Sequence, residues 1–191
     1  MKNWSAVFYK LLFILGDQML SNRTSSSFLS KSYWWESIDI ASLVMFRFIF
    51  AALGVADMIG TLVYKHWMKG HFDPDRFQFK FIGFEWLPVF SDPWMSILLL
   101  LITASGLGVA FGWRYRYCAI VWAIGFTYIF FLEKAYYLNH AYFYCLLCWI
   151  MIFLPAHSNY SIDMLSGRTL LRNQIPRWSL AILCFMMGLV Y

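Results

Sequence analysis

The residues of this chain that bring the most chemistry into the least space lie between two apolar runs. The stretch FLEKAYYLNHAYFYCLLCWIMIFLPAHSNYSID, residues 131–163, places Glu133, Lys134, Asn139 and His140 in one short turn. A lysine set among apolar and aromatic groups is disfavoured as a cation by desolvation, so its amine can be neutral and serve as a base. Asn139 and His140 can donate hydrogen bonds to a substrate oxygen. Tyr136, Tyr137, Tyr142 and Tyr144 offer aromatic faces to a flat ring. A plainer arrangement uses the same residues: a lysine at a helix end snorkels toward water, and aromatics beside it form an interfacial belt. Spacing alone leans to that plainer arrangement.

Other reactive side chains are scattered. Cys145 and Cys148 form a C-x-x-C in YCLLCW, and at i, i+3 of a helix both thiols share one side. Such a pair can serve a membrane quinone reductase, but buried cysteine more commonly acts as a small hydrophobe. Arg47 and Asp57 are ten residues apart in one apolar run, about 15 Å along a helix axis, and cannot pair with each other. Arg47 is expected to snorkel or to pair with an acid elsewhere, and Asp57 to serve packing or pairing. His66, His71, Asp73, Asp75 and Asp92 match no zinc or calcium spacing, so no metal is expected. Gly106 and Gly108 suit close helix approach, not a nucleotide loop.

The elements that must position these groups follow from composition. Of 191 residues, 61% are hydrophobic and 13% charged, against about a quarter charged in soluble domains. This excludes a disordered chain, a coiled coil and a nucleic-acid module, and it leaves too little polar surface for a soluble enzyme. The net charge of +5 fits Lys and Arg in cytoplasmic loops and contact with membrane lipid of anionic type. The four cysteines lie in apolar runs, which is not the pattern of a secreted disulfide framework.

The fold class expected is all-α, a multi-pass transmembrane helical domain with four full spans and a truncated fifth. Crossing a bilayer core takes about 20 mostly apolar helical residues. Segments near 40–64, 93–111, 117–131 and 138–154 meet that need, with Pro93, Gly112 and Pro155 as boundary signals. A fifth begins near Trp178 and reaches only Tyr191, so the domain is expected to be C-terminally incomplete. Residues 1–37 read as a cytoplasmic N-terminal region, with an interfacial helix over 6–20 and a polar loop over 21–32; residues 38–191 read as the membrane domain. Counting Lys and Arg gives nine on the N-terminal side and five on the other. Positive-inside then sets the N-terminus in the cytoplasm, in a bacterial inner membrane or the endoplasmic reticulum. Residues 65–92 and the turn at Lys134 then face the lumen or periplasm. The sequons at Asn3, Asn22 and Asn159 fall on the cytoplasmic side and are expected to carry no sugar.

Several motifs carry a resemblance. Glu133-Lys134, Asn139-His140, Tyr142, Tyr144, Pro155-Ala156-His157 and Ser161-Ile162-Asp163 occur in that order. DIASLVMFRFIF at 39–50 and FKFIGFEWLPVF at 79–90 add two weaker matches. Together they resemble the horizontally transferred transmembrane (HTTM) domain of the vitamin K-dependent gamma-glutamyl carboxylase-like family. The resemblance implies a carbon–carbon lyase coupled to quinol epoxidation. It implies Lys134 as the base that deprotonates reduced vitamin K or another hydroquinone. It implies Asn139, His140, Tyr136, Glu85, Trp86 and His157 as substrate-binding residues, with Glu85-Trp86 capping the pocket. Partners would be a lipid-soluble quinol and a protein Glu substrate. Ser158 departs from the family, many of whose bacterial members carry Arg there. Two other functions stay open at this point: a non-catalytic lipid-binding or partner-anchoring domain, and a C-x-x-C quinone reductase.

Overall fold

The computed structural model describes residues 10, 31–63, 77, 79–132, 134 and 137–190. A short helix α1 (Lys31–Trp35) and strand β1 (Ser37–Asp39) lead into helix α2 (Ala41–Val63). Helices α3 (Trp94–Phe111), α4 (Tyr115–Leu132) and α5 (Asn139–Phe153) follow. A one-turn helix α6 (Ile162–Leu165) and strand β2 (Gln174–Pro176) precede helix α7 (Trp178–Val190). Apart from Lys10, the interfacial helix expected over 6–20 lies outside the described residues.

The long helices are apolar on every side. One face packs into the core through Leu43, Phe46, Leu99 and Ile102, while Met45, Ile97, Leu100 and Ile124 on the outer faces are exposed. A water-soluble helix would turn charge outward on that second face; an apolar outer face suits hydrocarbon as solvent. Three helices, α2, α3 and α4, are long and apolar enough to cross a membrane. At 23, 18 and 18 residues they measure about 34, 27 and 27 Å. The fourth expected span is shorter. Helix α5 has 15 residues, or about 22 Å, because Leu138 and Leu154 at its ends are extended. Leu154 is extended because it precedes Pro155, which disfavours the helical conformation in its neighbour.

The boundary at α3 is set by glycine. Gly112 sits at φ 64, where a side chain would be strained, and closes the helix. The Trp113 amide then reaches the Gly108 carbonyl at 2.8 Å.

Neighbours in sequence pack as neighbours in space: α2 on α3, α3 on α4, α4 on α5, and α5 on α7. Helix α5 also returns to α2, where the Tyr144 hydroxyl donates to the Phe50 carbonyl at 2.9 Å. Close approach depends on small residues. The Trp122 indole fills the space beside Gly54 of α2 and Gly106 of α3, and Ile102 lies over Gly125. Phe50 stacks on Tyr144 at 4.3 Å and on Trp122 at 6.3 Å, and so continues this aromatic core.

Two strands clasp the starts of α2 and α7. Ser37, Ile38 and Asp39 pair antiparallel with Pro176, Ile175 and Gln174, and both isoleucines are buried. The sequence reading missed this clasp, since three-residue strands leave no periodicity to detect.

Candidate functional site

The turn between α4 and α5 is tied to the segment before α3. The Lys134 amide donates to the Phe79 carbonyl at 2.7 Å. Phe84 stacks on Phe131 at 4.2 Å, and Phe81 meets Phe130 and Phe131 at 5.5 and 5.3 Å. The Tyr128 hydroxyl donates to the Pro88 carbonyl at 2.6 Å. Within the segment, the Glu85 carboxylate accepts the Gly83 amide at 2.9 Å, and the Trp86 indole donates to the Gly83 carbonyl at 3.2 Å. Gly83 permits this turn because its φ is 87. The Lys80 ammonium donates to the Leu87 carbonyl. The structure thus brings Glu85, Trp86 and Lys134 to one end of the bundle, 49 positions apart in sequence between Glu85 and Lys134.

Asn139 and His140 begin α5 at the same end. They are exposed, as are Lys134 and Glu85, and Trp86 is 73% exposed. Tyr137 and Tyr142 lie beside Phe130 at 5.7 and 6.1 Å and make an aromatic surface. Tyr136 and Glu133 lie outside the described residues.

An acid of α2 lies near the start of α5. Tyr144 touches α2 at Phe50 and Gly54. One turn back along α5 is His140, and one turn on along the antiparallel α2 is Asp57. The two are within electrostatic range of each other. They do not form an ion pair among the described contacts.

His157 stands elsewhere. It follows α5, so it lies at the other end of the bundle, where its ring stacks on Tyr115 at 4.8 Å. Tyr115 and Leu132 bound α4, about 26 Å apart, so the structure does not bring His157 to Lys134. Burial lowers the His157 pKa, and Arg116, Arg47 and Arg172 lower it further against the opposing pull of Asp163.

That second end is a closely bonded polar region. Asp163 accepts the amides of Arg114 at 2.9 Å and Tyr115 at 2.8 Å, and so caps α4 from 48 residues away. Arg168 adds an ion pair at 3.3 Å. Burial works to raise the Asp163 pKa, but the two amides and Arg168 outweigh it and hold the carboxyl below its ordinary value. The Tyr115 hydroxyl donates to the Met151 carbonyl at 2.7 Å.

Arg47 corrects its expectation. It does not snorkel, and it pairs with no acid among the described residues. It is fully buried and donates to the carbonyls of Ala156 at 2.5 Å and Tyr160 at 2.6 Å. The loop after α5 wraps the guanidinium, and backbone dipoles replace both water and a carboxylate. Cys145 and Cys148 are both buried and free of disulfides. Among the described residues no three His, Cys, Asp or Glu gather as a metal-binding group.

Sequence reasoning missed the capping role of Asp163 and the anchoring role of Arg47. For Asp163 a local signal existed: Ser161 caps α6, accepting the Met164 amide at 3.0 Å, and marks a structured turn. Nothing local tied that turn to the start of α4.

The comparisons with known proteins agree with this architecture. The family model described as HTTM domain matches residues 35–191. No solved structure matches the chain.

Proposed function

This chain belongs to the HTTM family, and from that premise we propose that the end of the bundle holding Lys134 binds a lipid-soluble hydroquinone. The observation that carries the reading is the joining of two distant segments at one place: Lys134 to Phe79, with Asn139 and His140 beside them. The residues present fit a flat phenolic ring. Tyr137, Tyr142 and Trp86 offer exposed aromatic faces, and Asn139 and His140 offer hydrogen-bond donors at the start of α5.

When bound, a hydroquinone such as reduced vitamin K supplies the acidic hydroxyl and the reducing equivalents for oxygen-dependent carboxylation of a protein Glu. Lys134 takes the hydroxyl proton. A phenol-like hydroxyl titrates near 10, which suits an amine as its base. Asn139 and His140 orient the oxygen. The exposed amine is not desolvated by its own chain, so the bilayer and the bound ring must exclude water from it. His157 has no part at this site. The end bearing Lys134 faces away from the cytoplasm.

Exposure of Lys134 also favours a second reading, in which the lysine anchors a non-catalytic, lipid-binding domain at the membrane interface. One experiment separates the two. The full chain and its Lys134→Met variant are reconstituted in liposomes with a hydroquinone and oxygen, and epoxide is measured. The catalytic reading expects at least a hundredfold loss in the variant. Equal epoxide formation by both proteins, or none by either, would leave the anchoring reading.

A further inference from the structure

The end of the molecule opposite Lys134 carries an excess of charge that its own fold does not use. Across residues 31–47, 111–118 and 154–178 there are seven cations and three carboxylates. The carboxylates are committed. Asp163 is occupied by two backbone amides and Arg168. Glu36 pairs with Arg177 at 2.8 Å, and Asp39 accepts the Ala41 amide at 2.7 Å. Arg47 is enclosed by carbonyls. Lys31, Arg114, Arg116 and Arg172 remain, all exposed and none within ion-pair distance of a carboxylate among the described residues. At the other end, Lys80 and Lys134 are matched by Glu85 and Asp92 among the described residues of 77–93 and 132–140.

Arg116 and Arg172 stand at the same end of the bundle, both within electrostatic range of His157. Around them the surface is apolar in a way that water would not favour. Leu165 and Leu170 are 80% and 81% exposed, and Leu171 next to Arg172 is 61% exposed. Trp113 and Tyr117, on either side of Arg114 and Arg116, are also exposed, as interfacial aromatics are.

We infer that this face binds the phosphate headgroups of anionic phospholipid, with Arg116 and Arg172 holding the charge and Leu165, Leu170 and Leu171 seated in the acyl boundary. Charge complementarity selects the occupant. Zwitterionic headgroups leave the arginine charge unneutralised, and an acidic protein partner would not account for the leucines exposed beside Arg172. The preference is local to this end, so it also fixes which side of the molecule meets the anionic leaflet. It stands independently of the hydroquinone reading.

The test uses the full chain in neutral detergent, titrated with dansyl-labelled phosphatidylglycerol or phosphatidylcholine, with tryptophan-to-dansyl energy transfer as readout. Wild type should prefer phosphatidylglycerol. Each arginine near the headgroups contributes about a fivefold preference, so Arg116→Gln/Arg172→Gln should lower it about thirtyfold. Arg116→Lys/Arg172→Lys should keep most of it, since a charge rather than a fork is required. Salt gives a mutation-free arm: raising NaCl from about 50 to about 500 mM should collapse the preference in wild type. An equal preference in wild type and the Gln variant, or one indifferent to salt, would overturn the inference. Displacement of the lipid by millimolar inorganic phosphate would overturn it as well, by marking a free-anion site.

Discussion

The slot that holds Trp122 allows a quantitative test of how this bundle is packed. A Cβ built on Gly106 would lie 2.8 Å from Cε3 of Trp122, and closer still to two other atoms of the ring. Carbon atoms pack at 3.5–4.0 Å, so the indole or the backbone of α3 must move by about 1 Å or more. The indole is a poor candidate to yield, because Trp122 is also confined on its far side: a Cβ on Gly54 would lie 2.6 Å from Cζ2. Gly106→Ala should therefore destabilise the fold by about 1–3 kcal/mol. Trp122→Ala alone empties the slot and should cost about 3–5 kcal/mol. In the double variant the added methyl meets no ring, so Gly106→Ala should then cost close to nothing. The coupling energy of the cycle should be about 1–3 kcal/mol. The assay is equilibrium unfolding in mixed micelles of increasing denaturing-detergent fraction, followed by tryptophan fluorescence and circular dichroism. Additive effects, with Gly106→Ala equally costly in both backgrounds, would refute the claim that the glycine exists to admit the indole.

Three further outcomes are expected. Arg47→Met should cost about 3 kcal/mol in the same assay, because the carbonyls of Ala156 and Tyr160 lose a charged donor inside the protein; Arg47→Lys should recover only part of it, since one ammonium cannot span both. The Asp163 carboxyl is held below its ordinary pKa, so its contribution is present above about pH 4 and lost as pH falls through the folded value. Asp163→Asn should remove about 2 kcal/mol at pH 7 and flatten the acid limb of the stability profile; an unchanged acid limb would count against the cap. His157 is held neutral by burial and nearby arginines, so stability should fall as pH drops below about 6.5, and His157→Phe should abolish that part of the fall while keeping the stack on Tyr115.

Much of the fold was legible because the solvent acts on composition and length directly. An apolar run of 18 or more residues must satisfy its own backbone hydrogen bonds in hydrocarbon, and the helix is the way to do so. That is why α2, α3 and α4 could be placed from sequence, and why Pro93, Gly112 and Pro155 could be read as their boundaries. The extended backbone before Pro155 and the left-handed Gly112 come from local sterics, which travel with the residue. The length of α5 was less legible, since Leu138 is apolar and yet extended.

The candidate site divides along the same line. The sequence by itself determined a lysine, an asparagine and a histidine between two apolar helices, since they are neighbours in the chain. It also marked Arg47 and Asp57 as unusual, since a charge in an apolar run demands some partner. Only the tertiary structure decided who the partners are. Asp57 lies within electrostatic range of His140 because α2 and α5 run antiparallel with Tyr144 set against Gly54. Arg47 is wrapped by carbonyls of a loop more than a hundred residues away, and Asp163 caps a helix that begins 48 residues before it. His157, close to the family-like motifs in sequence, ends up a helix length from Lys134 because α5 carries the chain across the bundle between them. Hydropathy fixes which segments are helices, but it is nearly uniform around each of them. The faces that meet are chosen by where a glycine leaves room for a ring and where a buried charge finds its carbonyls.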